Sequence, residues 1–204
     1  GGRVDWPLLD AQTEAAQPAR YLLDMSSPEL MAPGGMVERV RSLWIPGLGV
    51  SSSPSVDDES SSADEAGVSV GDPQALGVDP SERATVLRAI TDSLALAYRR
   101  AIRRTCELSG TRPEAIHLVG GGSKNRLLAQ ETADATGIPV IAGPVEATAL
   151  GNMLVSLRAI GVASGTLMDL RAISRASSAL VTYEPRASHA RLWDEADALL
   201  AARS

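Results

Sequence analysis

The densest chemical information in the chain lies in Val119-Gly120-Gly121-Gly122-Ser123-Lys124-Asn125. A short apolar run, Ile116-His117-Leu118-Val119, reads as a strand and leads straight into the three glycines, after which a helical pattern begins. Glycine has no Cβ, so the backbone there can turn sharply and a ligand can approach the main chain closely. The first turn of the following helix offers N–H groups without intrahelical partners and the positive end of the helix dipole. Together these favour a phosphate or a flat nucleotide moiety at the C-terminal edge of the strand. The spacing is neither GxGxxG nor GxxxxGK[ST], because Lys124 is followed by Asn125 rather than Ser or Thr. On the glycines alone, a ligand cradle and a ligand-free strand-to-helix turn remain equally open.

The remaining chemically capable side chains point elsewhere. His117 alternates with Ile116 and Leu118, so it occupies the opposite strand face and reads as a hydrogen-bonded or sheet-edge histidine rather than a catalytic one. His189 heads the last helical pattern and is expected to be exposed, and two histidines so far apart in sequence make no metal site. Cys106 is the single cysteine, which excludes an intramolecular disulfide and CxxC metal clusters. It reads as an inert thiol between Arg104 and Glu107 on a long helix. Ser174, Ser177 and Ser178 lack the strand-elbow context of a hydrolase nucleophile. Glu146 suits a helix-start carboxylate better than a base. No residue of the chain is assigned as catalytic or as a metal ligand.

The elements that position the glycine bend follow from periodicity. Asp79 precedes a helix that starts with Pro80 and Glu82 in its first turn. Val86, Leu87, Ile90, Leu94, Ala97, Tyr98, Ile102 and Leu108 recur at three- and four-residue intervals, which predicts one buried apolar stripe closed by Ser109-Gly110. After the strand at 116–119 come a helix over Lys124–Thr136 ended by Gly137, and a second strand at Pro139–Ala142. Gly143-Pro144 breaks the chain, and a helix over Glu146–Ile160 follows. Alternation of helix and strand predicts an α/β fold with parallel strands covered by helices. A turn or short strand near Leu180–Tyr183 and a terminal helix over about 188–202 complete this part. Upstream, Leu8–Ala16 and Met36–Trp44 suit short helices, with turn-rich sequence over Asp24–Gly35. Pro46–Pro80 is rich in Gly, Ser, Pro and Asp around Asp57-Asp58-Glu59, too polar to offset its ordering entropy, and is expected to be a flexible acidic insertion.

Composition narrows the function classes. The 204 residues are 44% hydrophobic, enough for a core, but only 3% aromatic with no Phe, so Leu, Val, Ile, Ala and Met must fill it. A net charge of −6 disfavours nucleic acid as a partner. Arg99, Arg100, Arg103 and Arg104 fall on the long helix and read as a solvated face. No run of about 18 apolar residues is present, so no membrane span is expected. The N-terminal Gly1–Pro7 has no apolar signal-peptide core, and with one cysteine the cytoplasm is the default compartment. Its lack of an initiator Met reads as an internal cut in a longer chain.

Read together, residues 116–152 resemble the FGGY carbohydrate kinases, and within them most nearly the rhamnulokinase branch. Three pieces carry the resemblance: Gly120-Gly121-Gly122 followed by Asn125 and Leu128; Ala133-Asp134-Ala135-Thr136-Gly137; and Ala142-Gly143-Pro144-Val145-Glu146-Ala147-Thr148-Ala149-Leu150-Gly151-Asn152. Ser93–Arg99 and Met31-Ala32-Pro33-Gly34-Gly35-Met36 are similar to further family segments, so the likeness extends over about residues 20–44 and 83–185. It implies the C-terminal domain of an actin-like, ribonuclease-H-like ATPase fold, here incomplete, with an unpaired sheet edge. The implied organisation is a piece of that domain at 1–45, the insertion at 46–80, the nucleotide-binding core at 81–185 and a C-terminal helix at 186–204.

The same resemblance implies that ATP lies in a cleft between two domains, its purine held by the C-terminal one. Gly121 matches a nucleotide-contacting glycine, Gly120 and Gly122 keep the loop open, and Asn125 stands either near the adenine or as a helix-start cap. The implied reaction moves the ATP γ-phosphoryl group to the 1-hydroxyl of L-rhamnulose, with Mg²⁺ neutralising charge and a carboxylate taking the hydroxyl proton. The family's phosphate loop, sugar site and catalytic Asp motif fall upstream of this chain's start, so the N-terminal kinase domain is expected to be missing and the fragment inactive by itself. Asp5, Asp10 and Asp24 stand in the wrong context to replace that Asp. A non-catalytic remnant or interaction module, and another FGGY kinase such as a xylulokinase, are the alternatives.

Overall fold

A computed structural model of the chain describes residues 5–48 and 80–202. Most of the acidic insertion expected at 46–80 lies outside the described residues; at its ends, Pro46–Leu48 and Pro80 belong to ordered segments. The chain divides into two compact units, residues 1–93 with 195–204, and residues 94–194.

In the first unit, α1 (Trp6–Ala15) starts where Asp5 accepts a hydrogen bond from the Leu8 N–H at 3.1 Å, with Pro7 in its first turn. A two-stranded antiparallel ribbon joins β1 (Tyr21–Leu22) to β2 (Ile45–Pro46), with α2 (Met36–Ser42) between them in sequence. The ribbon extends past β2, where Gly47 N–H donates to Arg20 O and Leu48 N–H to Ala19 O, each at 2.9 Å. A Cβ on Gly47 would stand 1.9 Å from Ala19 O, so only glycine allows this approach.

The long helix α3 (Pro80–Ser109) begins and ends where the sequence predicts, but its buried face differs from the predicted stripe. Leu87 and Leu108 are exposed, while Ala84, Arg88, Ala89, Thr91, Asp92, Ser93, Ala95, Leu96 and Arg99 are buried. The cause is hydrogen bonding to main chain far away in sequence. Asp92 accepts the Ala19 N–H at 2.7 Å and the Arg88 Nε–H at 2.9 Å, and Arg88 Nη1 donates to Glu14 O at 3.4 Å. Ser93 Oγ accepts the Leu23 N–H at 2.8 Å and donates to Ala89 O at 2.6 Å. These polar groups satisfy main-chain atoms at the end of α1, between α1 and β1, and just past β1, which purely apolar side chains would leave unpaired.

The second unit holds the glycine bend. β3 (Ile116–Leu118) and β4 (Val140–Ala142) are parallel, as expected, in the register Ile116↔Val140, His117↔Ile141 and Leu118↔Ala142. They are linked by α4 (Arg126–Thr136), whose Ala129 and Ala133 pack on Val140 and Ala142, with Ile116, Leu118 and Tyr183 around them. Alanines at that contact bring the helix axis close to the sheet. β5 (Val181–Tyr183) pairs with β4 antiparallel, so the α/β sheet, ordered β3-β4-β5, is mixed rather than wholly parallel. The connection explains the reversal. Not one but two helices, α5 (Ala147–Ala159) and α6 (Leu167–Ala176), join β4 to β5 and turn the chain once more.

The helix α6 is set by a capping box: Thr166 N–H donates to Asp169 Oδ2 at 2.6 Å, and Asp169 N–H to Thr166 Oγ1 at 3.4 Å. The Thr166 backbone hydrogen bond, helped by the Thr166 hydroxyl, holds the Asp169 carboxyl below the usual carboxylate range. A short 3₁₀ turn (Ala187–His189) and α7 (Ala190–Ala201) follow, and a further 3₁₀ turn (Pro28–Met31) lies in the first unit between β1 and α2.

The buried Asp92 generates a stability test. Asp92→Ala removes the acceptor of both the Ala19 N–H and Arg88, and breaking such a buried pair costs about 3–5 kcal/mol. Urea unfolding of the variant is expected to show that loss, and a change below about 1 kcal/mol would remove Asp92 from this role.

Candidate functional site

The bend is fixed at both sides by continuations of the parallel ladder. Leu118 O accepts the Gly143 N–H at 2.8 Å, and the Gly120 N–H donates to Pro144 O at 3.1 Å. The two loops that leave the C-terminal edge of β3 and β4 are therefore tied to each other. Gly120 takes φ +78° and ψ −165°, a backbone that residues with a side chain rarely adopt. A single 3₁₀ turn, Gly121–Lys124, follows. Gly120 O accepts from both the Ser123 N–H at 3.1 Å and the Ser123 Oγ–H at 2.7 Å, and Gly122 O accepts the Asn125 N–H at 3.0 Å. The helix proper then begins at Arg126, two residues later than the predicted Lys124, because this turn is 3₁₀.

The three glycines are not equivalent. Gly120 is required by its own backbone angle. Gly121 and Gly122 are exposed, have no positive φ, and a Cβ built on either would meet nothing within 4 Å. The described fold makes no demand for glycine at those two positions. Asn125 is the N-cap of α4, its Oδ1 accepting the Leu128 N–H at 2.9 Å. Among the described residues nothing accepts from its amide nitrogen, so capping uses only half of this side chain.

The other sequence candidates do not join the bend as reactive groups. His117 is exposed while Ile116 and Leu118 pack on the core, as the alternation predicts. Glu146 is exposed at the N-cap of α5 and makes no side-chain cap. Cys106 is half-buried on α3. Ser174 lies within α6, and Ser177 and Ser178 follow its end.

One arrangement was not predicted. On α4, Glu131 and Asp134 are buried, and Arg186 closes over both. Asp134 Oδ1 accepts the Arg186 backbone N–H at 2.6 Å and Gln130 Nε2 at 3.1 Å. Asp134 Oδ2 accepts Arg186 Nε at 2.8 Å and pairs with Arg186 Nη2, which also reaches Glu131 Oε1 at 3.4 Å. Burial works against the Arg186 charge, but the bonds and charge of Asp134, then Glu131, outweigh it and raise the guanidinium above its ordinary value.

His189 is half-buried, not exposed as expected, because its Nδ1 stands 3.3 Å from Asp134 Oδ2. Glu131, Asp134 and His189 bring potential ligand atoms within 4.8 Å of one another, but Arg186 already supplies the cation. The signal in the sequence was two acids three residues apart on the same helix as Leu128, Ala129 and Ala133, a face that must be buried.

The FGGY family of carbohydrate kinases, C-terminal domain, matches residues 2–160. The chain belongs to that family. It is 39% identical over 173 residues to a rhamnulokinase of Bacteroides thetaiotaomicron, an alignment covering 85% of this chain and 34% of the relative. It is 41% identical over 110 residues to a rhamnulokinase of Enterobacter sp. strain 638, covering 54% of this chain and 22% of that protein. The chain thus spans about a third of the length of the first of these relatives. Among solved structures, a xylulose kinase from Rhodospirillum rubrum superposes with a TM-score of 0.54 at 18% identity, over 97% of this chain and 33% of that one. That likeness establishes the fold, the α/β actin-like ATPase fold of an FGGY sugar kinase. No helix among the described residues is long and apolar enough to cross a membrane.

The ion cluster can be tested apart from the bend. Asp134→Ala removes the buried acceptor of the Arg186 main-chain N–H and guanidinium, and because the Arg186 side chain is 44% exposed and water can take over part of its partner's role, the expected loss is about 1–3 kcal/mol in denaturant unfolding. Unchanged stability would show that the cluster does not hold the 186 segment to α4.

Proposed function

We propose that this chain carries the purine-nucleotide face of an ATP-dependent carbohydrate kinase whose acceptor is the 1-hydroxyl of a ketose, L-rhamnulose. The observation that carries the reading is the bend at 120–125. Its two central glycines are exposed and unconstrained by the described fold, on the C-terminal side of a parallel strand pair. Ligands of open α/β sheets bind at that side of the strands. A main chain bare of side chains at 121 and 122 lets a flat base lie against peptide groups, as Cβ atoms there would not.

In this reading Gly121 is the main contact, Gly120 sets the turn, Gly122 keeps the floor open, and the free amide half of Asn125 faces an acceptor on the base. ATP, when bound, supplies the γ-phosphoryl group. Mg²⁺ is assigned to the nucleotide's phosphates, and no described side chain is assigned to it. No residue of this chain is assigned as the base that takes the sugar hydroxyl proton. The 39–41% identity to proteins named rhamnulokinase supports the sugar. The likeness to the xylulose kinase is one of fold, at 18% identity.

Calorimetric titration with ADP and Mg²⁺ tests the nucleotide reading. Gly121→Val, whose Cβ would meet no atom within 4 Å in the described fold, is expected to weaken binding about tenfold or more while leaving the melting temperature nearly unchanged. Equal affinity in the two proteins removes Gly121 from the site. The sugar is tested by a panel of ketoses with a complete kinase carrying this domain. The highest kcat/KM is expected with L-rhamnulose, and a preference for xylulose overturns that part alone.

A further inference from the structure

A second recess in the 94–194 unit has a character that the nucleotide reading does not use. It lies along the last turns of α3 and the end of α4, with a volume of about 380 Å³, within the ordinary range for small-molecule sites. Ile102, Cys106 and Ile138 supply its apolar wall, and Arg99, Arg103 and Arg112 face it together with Thr136. In a chain of net charge −6, three guanidiniums around one recess is a local reversal of sign.

The three arginines differ in how they are held. Arg99 is buried and locked, its Nη1 donating to Ala135 O at 2.8 Å while Nη2 pairs with Asp194. Arg103 stands 3.8 Å from the same carboxylate with its side chain half exposed. Arg112 is exposed and makes no hydrogen bond or ion pair among the described residues. The carboxylate that lines the recess, Glu107, is engaged by Arg104 at 3.2 Å. The recess therefore pairs an apolar wall with an uncommitted planar cation, Arg112, on its rim, beside a second guanidinium, Arg103, that is half exposed and already engaged by protein groups.

We propose that this recess binds a small organic acid: an anionic head, carboxylate or phosphate monoester, received by Arg112 and Arg103, on an apolar body received by Ile102, Cys106 and Ile138. A guanidinium fork matches either head group in bidentate geometry. The proposal is independent of the nucleotide site, since none of these residues belongs to the 120–125 bend.

Amide NMR titration of the full chain with phenyl phosphate and with benzoate tests it, with inorganic phosphate and benzyl alcohol as probes bearing only one half of the ligand. Saturable shifts at Ile102, Cys106, Thr136 and Ile138 with either acid are expected, and the tighter acid identifies the head group. Each half-probe is expected to bind at least about tenfold more weakly than the better acid, and Arg112→Glu to lower affinity by a similar factor. Arg112 is exposed and unpartnered among the described residues, so folding is not at stake in that variant. The proposal is overturned by the absence of saturable shifts at millimolar ligand, by unchanged affinity in Arg112→Glu, by inorganic phosphate matching phenyl phosphate, or by shifts confined to residues 120–125.

Discussion

Two main-chain hydrogen bonds beyond the strand ends govern the geometry of the candidate site. β3 and β4 are each only three residues long, too short to fix the loops that leave them. The ladder continues, however, through Gly143 N–H to Leu118 O and Gly120 N–H to Pro144 O. Each such bond contributes only about 1 kcal/mol net, but together they decide where the chain turns. They place the glycine bend and the start of α5 at the same sheet edge. Without that tie, the bare peptide groups at 121 and 122 would have no fixed position to offer a ligand.

Helix α4 serves three purposes at once. Its first turn is capped by Asn125 from the bend, its alanines press on the sheet, and its buried acids hold the Arg186 segment. The order of these tasks along one helix explains its mixed composition. Small residues allow close approach to the strands, and Glu131 and Asp134 are tolerated in the interior because a cation, a backbone N–H and the Gln130 amide meet them.

The sequence made local features legible. The bend, the limits of α3, the parallel pair and the position of β5 follow from glycine, proline and apolar spacing within a few residues. Features that depend on distant partners were not legible. The inward face of α3 is decided by Asp92 and Ser93, whose partners at Ala19 and Leu23 lie 73 and 70 residues away. An apolar-periodicity reading rejects those very residues. The antiparallel sense of β5 follows from a second connecting helix, α6, which was signalled by Thr166 and Asp169 three residues apart but buries only Leu170. The ribbon strands at 21–22 and 45–46 are too short to show alternation. Of the candidate site, the contiguous glycines and Asn125 needed no long-range information. The surroundings of His189 did, because Asp134 reaches it only through the fold.

The spacing of the ion cluster has a consequence for synthesis. Asp134 and Glu131 leave the ribosome well before the cation that covers them, since Arg186 follows Asp134 by 52 residues. Until it emerges, β4 lacks its antiparallel neighbour and α4 carries two carboxylates that water must continue to solvate. The vectorial order of translation thus makes the covering of the α4 acids a late event, after the alanine face of the helix can already meet β4.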